Sequence, residues 1–336
     1  MLAGYIDSVR TRFDADAKLA SVRRAGARLT TDGKPRHALL RALAAVFTAG
    51  VIGLPLGGCH AALMDPQGPV GAAEKTILLD SLAIMLAIVV PTILATLGFA
   101  WWFRASNTRA RYRPQWVYSG RVELVTWSIP ILVILFLGGI TWVGSHELDP
   151  AKPLKSTQPT VTVEVVSLDW KWLFIYPDQG VASVNQLVVP AGVPVRLKLT
   201  SASVMNAFFV PQLGSMIYTM NGMSDVLYLQ ADKPGVYPGR SAHFSGDGFS
   251  GMQFDLSAMP ATEFKAWMDR TKAAGPALDD QSYAVLAKQS SNVAPFTYRA
   301  VTPGLYESVV QQRLPPAPGP GADPSAPQVS PKQGAL

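Results

Sequence analysis

The chain has 336 residues, of which 49% are hydrophobic and 15% charged, and its mean hydropathy is +0.19. This is too apolar for an ordinary soluble protein, so membrane segments must account for the excess. The net charge of +6 comes with arginines clustered around apolar spans and with no nucleic-acid fold signature, and a single cysteine excludes an internal disulfide or a paired-thiolate metal site.

Residues 1–58 read as a lipoprotein signal. A polar, basic stretch leads to an apolar run from Ala42 to Leu56, followed by Leu56-Gly57-Gly58-Cys59. Small residues before a cysteine mark a processing site, and Cys59 is expected to carry lipid and become the new N-terminus. The rival is an uncleaved third membrane helix, but Gly50, Gly53, Pro55, Gly57 and Gly58 make a poor helix end. The polar stretch is long for a leader, so either the leader is extended or the start lies downstream of Met1. Residues 59–76 are expected to be a short periplasmic segment.

Two membrane helices are predicted over 77–103 and 122–142. The first is apolar apart from Asp80 and ends in Trp101-Trp102; the second is apolar apart from Glu123 and ends at Trp142. Each exceeds the roughly 20 residues that cross a bilayer, and tryptophans suit its interface. Pro91 and Pro130 are tolerated where neighbouring helices or water satisfy the freed backbone groups. The connecting loop, 104–121, carries Arg104, Arg109, Arg111, Arg113 and Arg121 with no acidic residue, which places it in the cytoplasm. Both flanks then lie on the outer face, as lipidation of Cys59 also requires. Asp80, near that face, can reach water and is assigned no role.

After Pro150 short runs alternate apolar and polar residues, as at Val161, Val163 and Val165 and at Val195, Leu197 and Leu199. Residues 150–259 are therefore read as an all-β domain, with further strands at 186–189, 208–218, 224–230 and 251–256. Residues 260–313 form a helical region with two short helices, one presenting Phe264, Trp267 and Met268 and the other Tyr283, Leu286 and Ala287. The Pro-rich tail, 314–336, cannot bury enough apolar surface to fold and is expected to be disordered.

The stretch from Gly239 to Met252 reads G-R-S-A-H-F-S-G-D-G-F-S-G-M. It resembles the copper loop of the cytochrome oxidase subunit II family, C-S-E-x-C-G-x-x-H-x-x-M, with Ser241, His243, Ser245, Gly246, Phe249 and Met252 on the patterned positions. Both bridging thiolates are serines and the histidine is Phe249. Upstream, V-M-N-A-F-F-V-P places Asn206 where the family has its first imidazole, and only Met252 keeps a donor of the right kind. Together with S-L-D-W-K-W-L-F-I-Y-P (167–177) and F-F-V-P-Q-L-G-S-M-I-Y (208–218), the chain is most similar to subunit II of bo-type ubiquinol oxidases, which lack this copper.

The resemblance implies a two-helix hairpin in the bacterial inner membrane, a periplasmic cupredoxin-like Greek-key β-barrel and short C-terminal helices. It also implies quinol oxidation coupled to oxygen reduction, with haems and copper held by a catalytic subunit I and smaller membrane subunits completing the complex. Ubiquinol would be the substrate of the complex. This chain would bind no cofactor or metal, meet no cytochrome c, and contribute structure and proton access. His243 occupies a position that supplies a backbone carbonyl in the family, so its imidazole inherits no ligand role. Glu123, in V-E-L-V-T-W, matches the glutamate at the cytoplasmic mouth of a proton pathway; from the residues alone it could equally pair with Arg121 or another loop arginine. Trp170, Trp172, Phe174 and Tyr176 match a segment near the electron entry point of copper-bearing relatives, and without copper are expected simply to pack. No base, nucleophile pair or carboxylate dyad supports catalysis around Ser241, Ser245 and Asp247. The alternatives are a copper-containing cytochrome c oxidase subunit II, which the absent cysteines oppose, and a membrane-anchored periplasmic binding lipoprotein, for which two full spans are excessive.

Overall fold

The computed structural model describes residues 62–111 and 113–318, so the expected signal, Cys59, His37 and His60 lie outside them. Helix α1 (Pro69–Trp102) and helix α2 (Gly120–Glu147) have 34 and 28 residues, and both are long and apolar enough to cross a bilayer. They touch where Gly144 leaves room for Ile77: a Cβ on Gly144 would come within 2.8 Å of the Ile77 side chain.

Helix α1 starts eight residues earlier than the sequence suggests. Pro69 sits at the first helical position, where its fixed φ and missing N–H are no handicap. The extra turns carry Glu74 and Lys75, and they dock on the β domain instead of lipid. The Gly71 amide donates to the Leu213 carbonyl at 3.1 Å, Gln67 N–H to Gln212 at 2.8 Å, and Ser215 donates to the Glu74 carboxylate. Gly68 is needed there, because a Cβ would fall 2.1 Å from the Gln230 carbonyl oxygen.

The β domain is a sandwich. One sheet has six strands: β1 (Val161–Leu168), β2 (Lys171–Tyr176), β3 (Val181–Val184), β5 (Val195–Ser201), β8 (Asp225–Leu229) and β12 (Phe296–Tyr298), in the order β12-β3-β2-β1-β5-β8. The other has five: β4 (Gln186–Pro190), β6 (Asn206–Phe209), β7 (Ile217–Thr219), β9 (Gly235–Ser241) and β10 (Gln253–Met259), in the order β4-β10-β9-β6-β7. The predicted run 208–218 is thus two short strands and a turn. Its Pro211 lacks a ladder donor, and Gly214 sits in the turn that meets Val70 of α1.

Strand β2 has no polar face, and the reason is that both of its faces are covered. Trp172, Phe174 and Tyr176 point between the sheets, where Trp172 meets Phe208 and Phe254 edge-on at 5.5 and 5.7 Å. Leu173 and Ile175 point the other way, under the C-terminal region, against a second core with Leu278, Tyr283 and Tyr306. Tyr176 ties the sheets together. Its hydroxyl donates to the Val188 carbonyl at 2.9 Å and accepts from the Val188 amide at 2.8 Å.

The C-terminal region adds α3 (Ala261–Ala273), whose Phe264, Trp267 and Met268 pack on the core between the sheets, and it wraps the second core with β11 (Ala277–Leu278), α4 (Asp280–Leu286), β13 (Ala300–Val301) and α5 (Leu305–Val310), β11 pairing with β13. Among the described residues there are three helices after the sandwich, one more than the sequence predicts. The tail also stays folded further than its composition implies: Ala317 is buried, and its amide donates to the Ala202 carbonyl at 2.9 Å. A carbonyl just past the end of β5 captures it despite the flanking prolines. Residues beyond 318 are outside those described.

Candidate functional site: a copper-type loop with hydrogen-bonding donors

The loop between β9 and β10 brings the patterned residues together at one end of the five-stranded sheet. Asn206 opens β6, which pairs with β9 through Phe208 and Ser241, so Asn206 and Ser241 meet across the sheet edge. The Ser241 hydroxyl lies 3.1 Å from Asn206 Oδ1 and 3.2 Å from the His243 carbonyl oxygen, and can donate to either. Ser245 Oγ faces Met252 Sδ at 4.0 Å. Asn206, Ser241, Ser245 and Met252 are all buried. Phe249 begins a single 3-10 turn, Phe249–Gly251, and its ring packs edge-on against Phe244. The His243 ring stacks edge-on against Tyr218 and contributes no donor to the cluster.

The donor set does not match a thiolate-bridged copper pair. It offers hydroxyls, an amide and one thioether, and the hydroxyls are engaged with the amide, a carbonyl and the thioether. Among the described residues, no group of three or more His, Cys, Asp or Glu side chains is placed to hold a metal ion.

Trp170 fixes the loop from below. It holds a left-handed φ of 66° in the tight β1–β2 turn, an uncommon and costly state for a bulky residue. Its indole N–H donates to the Ser245 carbonyl at 3.0 Å, and its ring fills the space a side chain at Gly248 would need. The other three aromatics of that segment are core residues, as packing alone required.

Sequence reading passed over Lys171, which is 2% exposed. Its ammonium donates to the Lys288 carbonyl at 2.6 Å and the Ser290 hydroxyl at 2.5 Å, pinning the C-terminal region to the sandwich. Burial pulls it down to about 8, with the Asp169 carboxylate opposing the shift. The available signal was its alternation with Trp170 and Trp172, which turns it toward the face opposite the main core.

Glu123 lies in the first turn of α2, about 36 Å of helix from Glu147 at 1.5 Å per residue. It is solvent-exposed, and among the described residues it forms no ion pair with Arg121. Asp80 is exposed on α1, and His146 Nδ1 contacts the Trp142 carbonyl at 2.8 Å.

Two family models match the chain: the periplasmic domain of cytochrome c oxidase subunit II over residues 179–259, and the aromatic-rich motif of these oxidases over 272–315. Ubiquinol oxidase subunit 2 of Acetobacter aceti is 50% identical over 260 residues, covering 76% of this chain and 84% of the relative. Cytochrome bo(3) ubiquinol oxidase subunit 2 of Pseudomonas aeruginosa is 48% identical over 257 residues, covering 76% and 78%. The crystal structure of the periplasmic domain of cytochrome oxidase subunit II from Bradyrhizobium japonicum aligns with 25% identity and a TM-score of 0.33, covering 36% of this chain and 96% of that one. With two apolar helices ahead of a cupredoxin-like sandwich, the chain belongs to the ubiquinol oxidase subunit 2 family, within the subunit II proteins of haem-copper oxidases.

Proposed function

We propose that the chain is the copper-free subunit II of a proton-pumping ubiquinol oxidase in a bacterial inner membrane. Its hairpin packs on a haem-copper catalytic subunit I, and smaller membrane subunits complete the complex. Quinol is oxidised and oxygen reduced to water at centres held by the partner, while this chain supplies a periplasmic scaffold and a route for protons. The observation that carries this reading is the Ser241 hydroxyl seated 3.1 Å from Asn206 Oδ1, at two positions where copper-bearing relatives place a thiolate and an imidazole. The arginine-rich loop faces the cytoplasm by the positive-inside bias, the sandwich faces the periplasm, and Cys59 carries lipid. Glu123 marks the cytoplasmic proton entrance, and its lack of an ion-pair partner among the described residues favours that role over a structural pair.

Gentle detergent purification through a tag on this chain tests the assignment. The expected result is a large haem-bearing partner and an assembly that consumes oxygen with quinol but not with reduced cytochrome c. A preparation that oxidises cytochrome c, with the visible absorption of a thiolate-bridged copper pair on this chain, would overturn it. Intact mass of the mature chain checks the anchor: an N-terminus at a lipidated Cys59 is expected, and an unmodified chain beginning at Met1 refutes it.

A further inference from the structure

The turn between α1 and α2 forms an open cleft of about 800 Å3 lined by Arg104, Arg109, Arg111 and Arg113 together with Trp102 and Trp116. No acidic residue occurs between Phe103 and Gly120, and among the described residues no carboxylate pairs with any of the four arginines. Four like charges around one space repel one another unless an anion joins them. Arg104 is already held in place: its guanidinium lies 4.9 Å above the Trp101 ring, and it donates to the Trp101 carbonyl at 3.2 Å and to Ser106 Oγ at 3.0 Å.

We propose that this cleft binds the headgroup of a phospholipid carrying two phosphates, in the leaflet on the loop side of the membrane. The inference rests on the hairpin orientation given above. The anion is assigned to a lipid because the walls are mixed: Trp102 ends the membrane-length helix at headgroup depth, and the apolar flank of α1 continues from it into the bilayer. Guanidinium pairs bidentately with phosphate, so two phosphates engage all four arginines, where a single phosphate leaves half of them unmatched. Basic pockets between membrane helices on the cytoplasmic side take headgroups of this class. The positive-inside bias by itself requires basic residues somewhere in the loop, and does not require them to line one cleft with indole rings.

The test uses the whole oxidase, purified through this chain and reconstituted in phosphatidylethanolamine vesicles with either phosphatidylglycerol or diphosphatidylglycerol at matched phosphate. Native mass spectrometry after detergent release reads the lipid retained. The wild type should keep diphosphatidylglycerol, and a variant combining R104Q, R109Q, R111Q and R113Q should lose it by about tenfold or more. The four-lysine counterpart, which keeps charge without the bidentate fork, should fall between them and guards against an assembly defect in the glutamine variant. Equal retention in wild type and both variants overturns the site. Equal retention of the one-phosphate lipid overturns the two-phosphate assignment, and displacement by inorganic pyrophosphate at comparable concentration overturns the lipid source. If no haem-bearing partner copurifies, the same measurement on the purified chain still decides the site, so failure of the functional reading is seen separately. Ser106→Cys should react with an impermeant thiol reagent only from the cytoplasmic side; reaction from the outer side overturns the leaflet.

Discussion

A buried lysine is the residue whose charge state the fold most clearly alters. The Lys171 ammonium ordinarily titrates at 10.5 and is pulled to about 8 by burial. Between those values the unfolded chain holds a proton that the folded chain has released, so stability rises with pH through this window, while below pH 8 the full penalty of the buried charge persists. Lys171→Met removes the group. Measured by chemical denaturation below pH 10, before the tyrosines ordinarily ionise, the wild type should gain on the variant as pH rises, at a slope of up to about 1.4 kcal/mol per pH unit. Parallel pH profiles would contradict this. Gly248 offers a second residue-scale test, because a Cβ there would lie 2.3 Å from the Trp170 ring. Gly248→Ala should destabilise by about 1–3 kcal/mol, and the cost should largely vanish in a Trp170→Ala background. Undiminished destabilisation in the double variant would place the conflict elsewhere.

Among the elements, the β9–β10 loop brings together the positions that match the copper pattern and carries other donors on them. The frame was legible from sequence because glycine and methionine spacing survive at Gly246 and Met252; what the side chains do to one another was not. That Ser241 reaches back to Asn206 depends on β6 pairing with β9, a contact between residues 35 positions apart. Strand β9 itself escaped notice because Pro238 and Gly239 interrupt its pattern, and Gly239 is required where the Phe254 ring leaves no room for a Cβ. The continuous apolar run of β2 likewise hid a strand covered on both faces, since alternation fades when neither face meets water. The frame's survival gives a sharp prediction. Asn206→His, Ser241→Cys, Ser245→Cys and Phe249→His combined should take up copper with the visible absorption of a thiolate-bridged pair, and each alone should not, because a site lacking a bridge or an imidazole is incomplete. Binuclear copper in any single variant, or none in the quadruple variant with its sandwich intact by circular dichroism, would refute it.

At the scale of the whole molecule, the hairpin separates two ends with different chemistry. The sandwich end is structurally locked: α1 enters through Pro69 and is bonded to the sandwich at Gly71 and Glu74, contacts that composition could not reveal because they join a helix start to a distant turn. The loop end carries arginines and the exposed carboxylate of Glu123, a clustering readable from charge alone. A carboxylate at that end serves proton entry only while it can ionise, so Glu123→Ala should slow oxygen consumption and proton uptake in the assembled enzyme, by roughly the 10²-fold typical of losing a positioned acid-base group if it is the sole entrance. Glu123→Asp should retain more activity, since it keeps the titrating group on a shorter stem. Arg121→Ala discriminates the rival role: were the two residues a structural pair, both substitutions would have the same effect, whereas a proton entrance leaves Arg121→Ala close to wild type. Turnover and proton-uptake kinetics on preparations matched for haem content measure all three. Unchanged values for Glu123→Ala would remove the proton-entry role and leave this chain a scaffold without chemistry of its own.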